Sequence, residues 1–105
     1  MGVKKLGVDF KSEFTDQLFE AVLKLENKEE CYKFFEDICT IKEIKALEQR
    51  LEVARLLNEG STYEQIAEKT GASSATISRV KRYLNHGADG YQLILKRLTK
   101  EKKEG

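Results

Sequence analysis

The chain contains no proline and only seven glycines among 105 residues, so little in it forces a long helix to break. Its two cysteines, Cys31 and Cys39, form no CxxC pair and have no histidine near them. That excludes the spacing of a zinc site or a redox pair, and each is expected to behave as a small buried apolar residue. No apolar run approaches membrane-spanning length. The opening MGVKKLG lacks the apolar centre of a signal peptide, and Leu6 stands where N-myristoylation needs Ser or Thr. A cytoplasmic protein without membrane contact is therefore expected. His86 is the single histidine and sits beside Gly87, with no cysteine or paired carboxylates close in sequence. It reads as a surface residue rather than a general base. A phosphate-cradling glycine loop is also missing. Neither an enzyme nor a cofactor or metal site is expected.

What is present points to a folded helical domain. Apolar residues make up 40% and charged residues 35%, too apolar a balance for a disordered chain. The length suits one domain over residues 1–105, but so small a domain buries limited surface and gains much from dimerising. The net charge of +1 is unevenly spread. Residues 1–60 carry ten basic and thirteen acidic side chains, whereas residues 61–105 carry nine and five. Between Glu68 and Asp89 there is no acid, while Lys69, Arg79, Lys81 and Arg82 are basic. Such a stretch fits a surface for an anionic polymer.

Six helical segments can be drawn. The first spans about Ser12–Leu25, with Phe14, Leu18, Val22 and Leu25 on one face. Asn27 caps the second, with Glu30 as the return partner of a capping box and Cys31, Phe34, Phe35 and Ile38 as its apolar set. All five phenylalanines fall between Phe10 and Phe35, which concentrates aromatic bulk that must be buried. Thr40 and Glu43 form a second box, opening a third helix that runs to about Asn58 and stops at Gly60. This third helix is apolar almost all round, the mark of a central element packed on several sides. With so few residues to cover it, a second chain is expected to supply the cover. Residues 10–59 are thus read as a helical dimerisation core, 60–86 as a reading head and 87–105 as a C-terminal helix with a basic tail. That last helix begins near Asp89 and is expected to bury Tyr91, Ile94, Leu95 and Leu98.

The reading head follows from STYEQIAEKTGASSATISRVKRYL. Thr62 with Gln65, or Ser61 with Glu64, caps a short helix that Gly71 ends with a positive-φ residue. Ser73 then caps a helix over residues 74–84. Two helices joined by a tight glycine turn make a helix-turn-helix unit. A close crossing needs a small residue, met by Ala67, and a β-branched residue turned inward, met by Ile77. Ile66, Ala72, Val80 and Leu84 complete the buried set. The other face presents Ser74, Ala75, Thr76, Ser78, Arg79 and Arg82. Short side chains near the N-terminus of a recognition helix let its backbone enter the major groove. Serine and threonine hydroxyls reach base edges, and Ala75 or the Thr76 methyl can touch a thymine methyl. Ser73 at the helix N-terminus, with Lys81 and Arg82, favours phosphate, as Arg79 can.

The stretch from CTIKEIKALEQRLEVARLLNEG through GASSATISRVKRYL resembles the Trp repressor family, in particular its small YerC/YecD-type members. The likeness covers roughly Thr40–Gly87. It implies an all-helical, six-helix subunit in an intertwined homodimer that binds a palindromic DNA operator as a transcriptional repressor. It also implies an effector pocket, matched here by Thr40, Arg50 and Arg79. The chain departs from that pattern at Val80 and Tyr83, which replace smaller residues and fill space an indole needs; tryptophan is not expected as the effector, and a small anion is the remaining candidate. The alternative reading is a helical-dimer interaction module whose helix-turn-helix binds protein or RNA.

Overall fold

The computed structural model describes residues 4–5, 8–9 and 11–104, with side chains described over 11–101. Leu6, Phe10 and Gly105 lie outside the described residues. Six helices follow one another: α1 Glu13–Leu23, α2 Lys28–Ile38, α3 Ile41–Asn58, α4 Tyr63–Thr70, α5 Ser74–His86 and α6 Gly90–Glu104. Ahead of them, β1 Lys4–Lys5 pairs antiparallel with β2 Val8–Asp9, in the register Lys4 to Asp9 and Lys5 to Val8. Apart from this two-residue ladder the described fold is all-helical. No helix among the described residues is long and apolar enough to cross a membrane.

The chain divides into two compact units between Ala46 and Leu47, inside α3. In the first unit, local signals are well formed. The Ser12 hydroxyl accepts the Thr15 N–H at 3.1 Å. Helix α1 stops two residues earlier than the apolar spacing predicts. The N–H groups of Lys24 and Leu25 turn back to the carbonyls of Ala21 and Val22, each at 3.1 Å, and this tighter i→i−3 winding closes the helix. Asn27 accepts the Glu30 N–H at 2.9 Å. The Glu30 carboxylate accepts the N–H of Glu26 at 2.9 Å, one residue before the cap, rather than that of Asn27. The Thr40–Glu43 box is reciprocal as expected, at 2.8 and 3.1 Å.

Burial in this unit departs from the sequence expectation. No described residue of α1 or α2 is buried. Phe14 is 78% exposed and Leu23 82%, while Val22 and Leu25 are half-buried. Phe34 and Phe35 meet edge to face, with centroids 5.6 Å apart. Cys31 is exposed and Cys39 half-buried, so neither is the buried apolar residue anticipated. Apolar spacing marks which side of a helix avoids water, but among the described residues of α1 and α2 that side is at most half-buried.

The second unit carries the hydrophobic core. Val53, Ala54 and Leu56 of α3 meet Ile66 of α4, Ala72 of the turn, Ile77, Val80 and Leu84 of α5, and Leu95 of α6. Each large aliphatic side chain buried this way contributes ~1.5–3 kcal/mol. Only Leu95 of the expected α6 set is buried; Tyr91 packs at the edge of the core, whereas Ile94 and Leu98 are exposed. Helix α3 ends in a Schellman motif: Ser61 N–H reaches the Leu56 carbonyl and Gly60 N–H the Leu57 carbonyl, both at 3.0 Å, with Gly60 at φ +92°.

Candidate nucleic-acid interface

Both halves of the helix-turn-helix are fixed by the caps the sequence anticipates. The Thr62 hydroxyl accepts the Gln65 N–H at 3.2 Å, and the Gln65 side chain accepts the Thr62 N–H at 2.9 Å. The Thr62–Gln65 box forms, not the Ser61–Glu64 one. Gly71, at φ +73°, ends α4 by donating to the Ala67 carbonyl at 2.8 Å. Ser73 caps α5 through the Thr76 N–H at 3.1 Å. Helix α5 continues to His86, two residues beyond expectation. There Gln92 of α6 donates to the Leu84 carbonyl at 3.0 Å, satisfying one of the terminal acceptors.

The turn is held from two sides. The Thr70 hydroxyl donates to the Ile66 carbonyl at 2.7 Å and accepts the Ala72 N–H at 3.1 Å. Gln49 of α3 donates to the Thr70 carbonyl at 3.1 Å. A main-chain acceptor at the end of α4 is therefore tied to the helix beneath it.

Ile77, Val80 and Leu84 form the buried stripe of α5, with Ile77 0% exposed. At about 100° per residue, Ala75, Ser78, Arg79 and Arg82 stand on the side opposite that stripe. All four are exposed, as are Ser73, Ser74 and Lys81. Thr76 lies on one edge and is half-buried, and its hydroxyl accepts a hydrogen bond from that of Ser73 at 3.1 Å. The eight residues expected to meet DNA thus share one helix and its cap, and seven of them are exposed.

A ninth residue was not anticipated. Tyr63, first in α4, brings its hydroxyl to 3.3 Å from Ser78 Oγ, and Lys81 Nζ lies 5.7 Å from its ring centroid. The single sequence signal for it was an aromatic residue directly after a helix cap.

The five effector-pocket positions, Thr40, Arg50 and Arg79 with the departures Val80 and Tyr83, have different surroundings. Val80 is 2% exposed and belongs to the core. Tyr83 is half-buried under the Arg82 guanidinium, whose central carbon is 5.6 Å from the ring centroid. Hydrogen bonding from Arg82, with Arg79 adding to it, holds the Tyr83 phenol below its ordinary pKa although desolvation works the other way. Arg50 acts on a different phenol: burial pushes Tyr91 up, and the Arg50 charge opposes it. Thr40 belongs to the first unit, and its hydroxyl caps α3. In α3 the arginine gripped by carboxylates is Arg55, which is 2.7 Å from Glu52 and 2.5 Å from Glu59. A groove of ≈ 790 Å³ runs along α6, lined by Asn58, Asp89, Gln92, Leu93, Lys96 and Thr99 among others, and touches none of the five.

Comparison with known proteins agrees with this architecture. YerC of Bacillus subtilis (strain 168), an uncharacterised protein, is 58% identical over 89 residues, which cover 85% of this chain and 86% of YerC. A TrpR-like protein from Eubacterium eligens ATCC 27750 superposes with a TM-score of 0.83 at 57% identity, covering 85% of this chain and 92% of that one. A Staphylococcus aureus protein, solved as a candidate Trp repressor, gives a TM-score of 0.82 at 53% identity, covering 85% and 89%. Residues 13–99 match the family described as the Trp repressor protein, so the helix-turn-helix sits in the setting of DNA-binding regulators and the chain belongs to the Trp repressor family.

Proposed function

We propose that the protein is a cytoplasmic transcriptional repressor that acts as a homodimer on a palindromic duplex operator. The observation that carries this reading is the outer face of α5. It holds short hydroxyl and methyl side chains beside Arg79, Lys81 and Arg82, is free of acids, and is exposed on a helix whose other face is fully buried. Ser74, Ala75, Thr76 and Ser78 read base edges, and Ser73, Lys81 and Arg82 hold phosphates. The second copy covers the apolar face of α1 to α3. Phe14, Leu18, Phe19, Leu23, Ile41 and Leu47 are all exposed in the single chain, more large apolar surface than a monomer ordinarily leaves wet. Two heads about 34 Å apart then enter successive major grooves.

Binding to a library of duplexes at several salt concentrations tests the reading. Selection of one palindrome, with affinity falling steeply as salt rises, is the expected outcome. Lys81→Ala or Arg82→Ala should weaken all duplexes alike and lower the salt slope by about 1 per half-site. Equal affinity for every duplex, or preferential capture of RNA, would point to the interaction-module alternative instead.

A further inference from the structure

We propose that Tyr63 is a positioning residue of the reading head, presetting Lys81 for a phosphate and Ser78 for a base edge of the same half-site. The proposal rests on the DNA-binding reading above. Tyr63 is the first residue of α4, and its partners are fifteen and eighteen positions away on α5. It is 37% exposed, so its ring faces water on one side and the two partners on the other. Lys81 ends in an ammonium group on four rotatable bonds and loses much side-chain entropy when a phosphate fixes it. An aromatic face 5.7 Å from Nζ attracts that cation before DNA arrives. Part of the ordering has then already occurred when the phosphate is met, and such preorganisation raises affinity without a new contact.

The hydroxyl does a second job. A serine hydroxyl can turn to donate or accept, and with either orientation open it discriminates bases poorly. The Tyr63 hydroxyl, 3.3 Å from Ser78 Oγ, occupies one hydrogen-bonding direction of Ser78 and so narrows the orientations left for a base edge. Both contacts join the first helix of the motif to the second on its water-facing side, where the buried core between them does not reach.

The test compares Tyr63→Ala and Tyr63→Phe in the full-length protein, each alone and in a Ser78→Ala, Lys81→Ala background, with duplex DNA selected by the unmodified protein. An exposed cation–π contact corresponds to roughly a two- to fivefold change in affinity per half-site. Tyr63→Ala should therefore weaken an operator with two half-sites by about four- to twenty-fivefold and flatten its salt slope. In the doubly substituted background the same change should cost less than about twofold. Tyr63→Phe keeps the ring, so it should keep the salt slope and relax preference at one base pair per half-site. In the free protein, the upfield ring-current shift of the Lys81 Cε protons should vanish in Tyr63→Ala and persist in Tyr63→Phe. Equal losses in both backgrounds, or an unshifted Lys81 in the unmodified protein, overturn the positioning role. Unmodified protein that binds no duplex overturns the DNA-binding reading and this one with it. Normal binding that Tyr63→Ala leaves untouched overturns this one alone.

Discussion

Helices α1 and α2 are as well capped as α4 and α5, yet among the described residues only the second unit has a core. Helix α1 has its Ser12 cap and α2 its Asn27 cap, and no described residue of either is buried. In the second unit α4 packs on α5 and α5 on α6, and Ile66 and Ile77 are fully withdrawn from water. Local signals decide where a helix starts and stops, whereas most of its stability comes from burying one face. The reading head finds that burial within its own chain. The N-terminal helices have a face of the right composition, and its described residues are at most half-buried.

The largest expected effect sets the two regions against each other at Phe14. A second copy that covers α1 would make Phe14→Ala cost ~3–5 kcal/mol of dimer stability, seen in sedimentation as dissociation at concentrations where the unmodified protein stays paired. A stability change below about 0.5 kcal/mol would mean that Phe14 stays in water and that the contrast needs another explanation.

Ile77→Ala addresses the other region. Removing a fully buried side chain from the core should cost ~2–5 kcal/mol in chemical denaturation. The loss should be the same at every protein concentration if the head is held by its own chain. A loss that grows on dilution would show that the head also leans on a partner.

Smaller effects test the outer face of α5. Replacing Thr76 should alter discrimination at one or two base pairs by ~1–3 kcal/mol and leave non-specific affinity nearly unchanged. Thr76 is half-buried and bonded to Ser73, so Ala75, opposite the buried stripe, is the sharper comparison. A Thr76 variant with unaltered preference across a randomised site, beside an Ala75 variant with changed preference, would move base reading wholly onto the outermost residues.

The smallest expected effect is none. Val80 lies in the core and Tyr83 under Arg82, so an indole would have to displace packed atoms. Operator affinity should be the same with and without millimolar tryptophan. A gain of about tenfold on adding it would show that the Val80 and Tyr83 side chains move aside.

The reading head was legible because its instructions are local. Thr62, Gln65, Gly71 and Ser73 act on N–H and C=O groups within four residues, and Ala67, Ile77, Val80 and Leu84 follow from helical spacing. The same reasoning placed the Thr40–Glu43 box and the stop at Gly60. It could not place Glu30 on Glu26 rather than Asn27, since both N–H groups lie within reach of one flexible carboxylate. Nor could it tell that Cys31 is exposed, because spacing names an apolar face without saying what covers it.

By itself, then, the sequence determined six helices, the Asn27, Thr40 and Ser73 caps and the inward and outward faces of α5, all consequences of groups a few residues apart. Only the tertiary structure decided which faces find a partner within the chain, that Gln49 holds the Thr70 carbonyl, and that Tyr63 reaches Ser78 and Lys81 across the motif. Those contacts join residues fifteen to twenty-one positions apart. Their existence depends on how two helices cross, and no helical period encodes that angle.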